Sequence, residues 1–231
     1  MRNLTLRKVI SLIFINIFNI ICLIITIIYG GKKRYFFLTF LTFWANSFYL
    51  FGICICDINL FFRNSEELEK INNFLRNKYF RYSCTFSITV VILYWNLVFL
   101  GNNFIYVKPG AIQFFFHCYL HGINTIFLLI DMFINEHEFI DKSSFDCLIL
   151  SILYLIYTII IFYAKYISKF SPYAFMKDAS FSQLVVSDFI MYVFLLDCYQ
   201  IFIWLLEFSS KKNKTSDDNT NTLLTYETNN S

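Results

Sequence analysis

The stretch CLILSILYLIYTIIIFYAKY, Cys147–Tyr166, runs twenty residues with a single charge, Lys165, near its end. That is the length a helix needs to cross a hydrocarbon core of about 30 Å. It is continuously apolar rather than alternating, which selects a spanning helix over a barrel strand. Working outward, five more stretches have the same character: Val9–Tyr29, Tyr35–Cys56, Ser83–Leu100, Ala111–Phe133 and Leu184–Phe208. The expected fold is all-α, a polytopic integral membrane bundle of about six transmembrane helices over residues 1–208. Residues 209–231 are rich in Lys, Asn, Thr and Asp and read as a disordered polar tail.

Composition agrees. Of 231 residues, 58% are apolar, 21% aromatic and 15% charged, against about 25% charged in a soluble domain. The net charge of +3 is small and scattered, which excludes nucleic acid as a partner. Arg2, Arg7 and Lys8 precede the first stretch in the manner of a secretory signal, but its apolar run is too long for a signal core, so it reads as an uncleaved span. Lys and Arg number twelve on the side holding both termini and seven on the other, counting Lys165 at the end of its span with the loop that follows. The excess predicts cytosolic termini in an endomembrane or plasma-membrane protein. Seven cysteines without a C-x-x-C pair read as small core residues, not as a disulfide framework or a zinc site.

Between the second and third spans, Ser65-Glu66-Glu67-Leu68-Glu69 opens an amphipathic segment with Ser65 as N-cap. Leu68, Ile71 and Leu75 are spaced for one helical face, predicting a helix on the membrane surface.

Polar side chains inside spans are costly and mark candidate sites. In the second span Thr39, Thr42, Asn46 and Tyr49 fall on one helical stripe. A Thr hydroxyl can return to its own i−4 carbonyl, whereas the amide of Asn46 must face protein or water. The bland reading of this stripe is helix-packing glue. In the fourth span His117 and His121 stand one turn apart with Asn124 beside them, and Asp131 follows some 15 Å along the axis. An i, i+4 His pair suits zinc only with a third ligand, and none lies within a turn, so neither metal nor cofactor is expected. In the sixth span Asp188 and Asp197 point to opposite sides. Asp188 is close enough to the span's start to reach the interface, and Asp197 needs a partner, with Tyr192 and Tyr199 as candidates.

Several motifs together resemble the androgen-induced gene protein family. They are Gly30-Gly31 with the basic-aromatic patch Lys32–Phe37, Leu38-Thr39-Phe40 opening the second span, Phe51-Gly52-Ile53-Cys54 and Asp57 closing it, His121 ten residues before Asp131-Met132, His137 beyond, and Ser171-Pro172-Tyr173 between the last two spans. The resemblance covers roughly residues 9 to 208 and is carried by joint order rather than by any one motif. It implies a membrane threonine hydrolase of fatty acid esters of hydroxy fatty acids, with the nucleophile in the second span and a His in the fourth. Carried over, these are Thr39 and His121. The triplet Leu-Thr-Phe occurs twice (Leu38–Phe40, Leu41–Phe43), which makes Thr42 the alternative nucleophile. His117 is displaced from the family's neighbouring His.

The chemistry is coherent on its own terms. A hydroxyl becomes a competent nucleophile when a base in hydrogen-bond reach takes its proton, and imidazole, neutral near pH 7, is the base least costly to bury. Asn46, Asn124 and Tyr49 are candidate oxyanion donors, with His117 a further supporting residue. If each span is counted from the non-cytosolic side, Thr39 and His121 differ in depth by roughly 9 Å, and Thr42 halves the gap. The partner implied is a lipid ester drawn sideways from the bilayer. A transporter or channel, and a non-enzymatic lipid-binding scaffold, are the competing readings.

Overall fold

The computed structural model describes residues 6–29, 38–62, 65–100, 118–134, 144–171, 173 and 176–229. Among them every regular element is helical. Helix α1 spans Leu6–Tyr29, α2 spans Leu38–Phe62, α3 spans Glu66–Phe74 and α4 spans Phe80–Leu100. A π turn, Tyr119–Ile123, leads into α5, Asn124–Ile134. Helix α6, Ser144–Phe162, ends in a second such turn, Tyr163–Ile167, and α7 runs Phe181–Asn229. Within the described residues, each of the six expected apolar stretches is helical.

Three segments are long and apolar enough to cross a membrane: Leu38–Phe62, Phe145–Ile167 and Phe181–Phe208, with Ile13–Ile24 and Asn124–Phe133 as shorter apolar helices. Outward faces carry Phe14, Ile17, Phe48, Leu155, Ile159, Phe189 and Trp204, all exposed. So continuous an apolar surface has no place in water and suits acyl chains.

Side-chain ties fix the packing order. The Asn16 amide donates to Leu50 O at 3.0 Å and Ser47 Oγ to Asn19 Oδ1 at 3.2 Å, holding α1 antiparallel to α2. Helix α4 is central. Its buried Ser83, Thr85, Ser87 and Thr89 are small, so neighbours approach closely. Three of these hydroxyls return to carbonyls one turn back, at 2.7 Å for Thr85, 2.8 Å for Ser87 and 2.8 Å for Thr89, which satisfies them without water. Helices α6 and α7 are joined by hydroxyls. Ser151 meets Tyr192 at 2.7 Å, while Tyr154 and Thr158 each donate to Asp188 at 2.9 Å.

Three expectations need revision. The amphipathic segment is not a separate surface helix, because α3 passes through a π turn at Leu75–Tyr79 straight into α4. No Gly or Pro interrupts residues 66–100, so nothing stops the helix. The inward face of that segment is Asn72, Leu75 and Arg76, while Ile71 is half exposed; charged partners inside the bundle outbid the apolar stripe. Ser65 occupies the N-cap position with extended backbone but makes no side-chain cap bond. Asp197 is exposed, and its suggested partners are engaged elsewhere, Tyr199 with Asp146 and Tyr192 with Ser151. Helix α7 is described as far as Asn229.

Candidate functional site

The polar stripe of α2 is turned inward. Thr42, Asn46 and Tyr49 are buried and Thr39 is half buried. Asn46, only 1% exposed, donates to Ser87 Oγ at 2.7 Å and accepts from Ser83 Oγ at 2.5 Å. Both ends of its amide are therefore spent on α4, the glue role, which leaves one amide proton as its remaining donor capacity. Tyr49 is spent too: its hydroxyl donates to Asp131 Oδ2 at 2.5 Å. Asn124 is different. It is 1% exposed, and its Oδ1 has no hydrogen-bond partner. A buried amide with an open acceptor is where a water or a ligand group belongs.

Among the described residues, Asp131 belongs to an ionic group. Besides Tyr49 it faces Arg76, whose Nη1 is 3.6 Å from Asp131 Oδ1, and Arg76 also pairs with Asp57. Asn72 joins them, donating to Asp57 Oδ1 at 2.7 Å and accepting from Arg76 Nε at 3.0 Å. Burial pulls the Arg76 guanidinium down, and the facing carboxylates outweigh it and hold it above its ordinary value. A second ionic cluster lies at the same end of the bundle: Asp146 accepts from Arg81, Tyr82 and Tyr199, each at 2.9 Å. Neither cluster was foreseen. Asp57, Arg76 and Arg81 read as loop charges, and only Asp131 gave a signal.

His117 and His137 lie outside the described residues, and so does the side chain of His121, whose backbone sits in the π turn Tyr119–Ile123. The level of that turn is set by its neighbours. Tyr119 packs edge-on against Phe43 with ring centroids 5.8 Å apart. Its hydroxyl donates to Asn19 Oδ1 at 2.6 Å, the same oxygen that Ser47 uses. Twelve residues on, Asp131 meets Tyr49, so α5 runs parallel to α2. A Cβ on Gly122 would stand 3.9 Å from Trp95 Nε1 of α4. Tyr119 is thus level with Phe43 to Ser47, and because α5 runs parallel to α2, residue 121 lies a little further along, at about residues 44–47. Thr42 lies about 5 Å before that level and Thr39 about 10 Å before it.

Depth therefore singles out Thr42, whereas facing singles out Thr39. Thr39 and Phe43 are four residues apart and share the face that Phe43 turns to Tyr119. Thr42 shares its face with Asn46, which meets α4. Packing leaves Thr39 about 10 Å along the axis from the level of residue 121, close to the mismatch expected from the sequence, and Thr42 about halves it.

The start of α2 is held from the loop before α7. The Leu38 N–H donates to the Tyr173 hydroxyl at 3.1 Å, and Tyr173 shares a 3.0 Å bond with the Tyr157 hydroxyl of α6. Around this point Leu38, Val90, Tyr154, Tyr157, Ile161 and Leu195 form a buried apolar cluster. Tyr119 of the π turn packs in a separate cluster with Cys22 and Phe43, so the first turns of α2 lie between two apolar clusters, one built with the tyrosines of α6 and the loop, the other with α1 and the π turn.

A family model described as FAR-17a/AIG1-like protein matches residues 6–207. No curated protein and no solved structure matches the chain. The match takes in every spanning helix, both threonines and His121, and the chain belongs to the FAR-17a/AIG1-like family.

Proposed function

We propose that this protein is an integral-membrane hydrolase of lipid esters, cleaving fatty acid esters of hydroxy fatty acids or similar acyl esters with an α2 threonine as nucleophile and His121 as base. Thr39 takes the nucleophile's role by the family resemblance, and Thr42 is the alternative. What supports the reading is that α5 enters the bundle beside Phe43 and Ser47, so that residue 121 lies toward the same end of α2 as both hydroxyls, nearer Thr42, among apolar neighbours.

The threonine Oγ attacks the ester carbonyl carbon while the imidazole takes its proton. Collapse of the tetrahedral intermediate expels the hydroxy acid, whose oxygen receives that proton, and leaves an acyl-threonine. Water then attacks the acyl carbon, with the same imidazole as base, releasing the fatty acid and restoring the hydroxyl. The open atom of Asn124 is an acceptor, which suits the attacking water rather than the oxyanion, since the oxyanion needs a donor. Asn46 keeps one amide proton for that purpose, and Tyr49 is committed to Asp131.

The test is labelling. Detergent-purified protein is treated with a fluorophosphonate probe and the adduct is mapped by mass spectrometry. Attachment at Thr39 or Thr42 that disappears in His121→Ala supports the mechanism. Absence of labelling together with absence of ester turnover hands the molecule to the scaffold reading.

A further inference from the structure

The Ser171-Pro172-Tyr173 segment has no part in the proposed chemistry, yet its tyrosine reaches across 135 residues of sequence to the backbone of Leu38. That N–H sits in the first described turn of α2, directly before Thr39. It donates to a phenol oxygen contributed by the loop before α7.

The phenol is itself held firmly. Tyr157 shares a hydrogen bond with it at 3.0 Å, and Met176 N–H donates to Tyr173 O at 3.0 Å, closing a turn. Lys165, in the π turn that ends α6, donates to Met176 O at 2.5 Å and to Ala179 O at 2.6 Å. An ammonium clasping two carbonyls fixes the segment to α6. Burial pushes the Tyr173 phenol up, against the pull of its bonds to Tyr157 and Leu38, so it stays a neutral hydroxyl able to accept from the amide while bonded to Tyr157.

We propose that Tyr173 is a positioning residue for the hydrolysis: braced by Tyr157 and the Lys165-clasped turn, its hydroxyl sets the first turn of α2 and thereby the attack geometry of the threonine that turn presents. The inference rests on the hydrolase reading. It assigns Tyr173 no contact with the substrate; its effect passes through the Leu38 peptide. Attack geometry is steep in distance, since about 1 Å of misplacement costs up to a hundredfold in rate. Thr39, next to the latched amide, feels a loosened turn more than Thr42 does.

The experiment uses the full chain in detergent. For wild type, Tyr173→Phe and Tyr157→Phe, kcat and KM are measured on a fluorogenic long-chain acyl ester across pH, alongside fluorophosphonate labelling rates and amide hydrogen exchange of peptides covering residues 38–42. Tyr173→Phe is expected to lower kcat and the labelling rate about tenfold, with KM and the shape of the pH profile unchanged and exchange in the first turn faster. Tyr157→Phe, which leaves the accepting oxygen in place, moves the same quantities by less. A wild type that turns over ester while Tyr173→Phe keeps full kcat per folded molecule overturns this inference and leaves the hydrolase reading intact. A wild type that neither turns over nor labels overturns the hydrolase reading itself, and the positioning role with it. Should Tyr173→Phe fail to fold, an unchanged kcat and unchanged exchange in Tyr157→Phe overturn the proposal.

Discussion

The Tyr49 hydroxyl donates to Asp131 Oδ2 at 2.5 Å, a direct tie between α2 and α5 in a place where both side chains are almost wholly buried. The same carboxylate faces Arg76, which in turn pairs with Asp57. Two carboxylates and one guanidinium inside a helical bundle are costly to desolvate, and hydrogen bonds from Tyr49 to Asp131 and between Asn72, Asp57 and Arg76 offset part of that cost. Breaking such a group by removing one member costs about 3–5 kcal/mol. Asp131→Ala is therefore expected to abolish monodisperse protein in detergent. Tyr49→Phe, which removes one hydrogen bond to a charged group, costs about 1.5–3 kcal/mol and lowers the melting temperature without preventing folding. Fluorescence-detected size exclusion after a heating series checks both. Equal tolerance of the two variants would show that Asp131 is solvated in the membrane-embedded protein.

Arg76 and Asp57 are expected to behave as a coupled pair. Arg76→Gln alone leaves two carboxylates facing each other, and Asp57→Asn alone leaves Arg76 with Asp131. The double variant removes one charge of each sign and keeps hydrogen-bonding capacity on both sides. It is expected to recover much of the stability lost in Arg76→Gln, with a coupling of up to about 3 kcal/mol. A double-mutant cycle on thermal stability measures this. Simple additivity of the two single variants would mean the pair is not interacting in the folded protein.

These two clusters show where sequence reading runs out. Six helices were legible because each apolar run is long and uninterrupted, and that signal needs no partner. The stripe Thr42, Asn46, Tyr49 was legible as inward-facing because an Asn amide cannot be left to lipid. Its partners were not, since Ser83 and Ser87 look like any other small residues of a span. Asp57, Arg76 and Arg81 were hidden for a different reason. Placed between apolar runs they read as solvated charges, and the pull of Asp131 from a helix 55 residues beyond Arg76 has no local trace. Tyr173 stood inside a recognised motif, but its contact with Leu38 depends on how the loop is clasped by Lys165. On the candidate site itself, composition and resemblance named the threonines and the histidine. The level of residue 121 came only from packing.

Gly52 sits where α2 passes the π turn that joins α3 to α4. A Cβ there would lie 3.1 Å from Leu75 Cδ1, the tip of a buried but movable side chain. Gly52→Ala is expected to be nearly neutral, because the strain of moving Leu75 is offset by about 1 kcal/mol of helix propensity. Gly52→Val adds two methyl groups against the same neighbour and is expected to cost about 1–3 kcal/mol. Leu75→Ala in the Gly52→Val background opens the space and restores part of that loss. Melting temperatures of the three proteins decide it, and a Gly52→Val protein as stable as wild type would show that α2 and the π turn are further apart than 3.1 Å implies.

The nucleophile can be settled by splitting the two α2 threonines. Thr39 shares the Phe43 face that meets Tyr119, and Thr42 lies nearer the level of residue 121 but turns with Asn46 toward α4. If Thr39 attacks, Thr39→Ala eliminates ester turnover and fluorophosphonate adduct, Thr39→Ser keeps a measurable fraction of both, and Thr42→Ala loses little beyond packing. If Thr42 attacks, the pattern inverts. In either case His121→Ala is expected to lower kcat by at least about a hundredfold, the lower range for loss of a general base, with KM changed far less. Neither alanine variant is expected to unfold the protein, since each removes only a hydroxyl and a methyl from a helix whose other contacts remain. A chain in which both single threonine variants retain full turnover would place the chemistry elsewhere in the bundle, and adduct mapping on the double variant would then locate it.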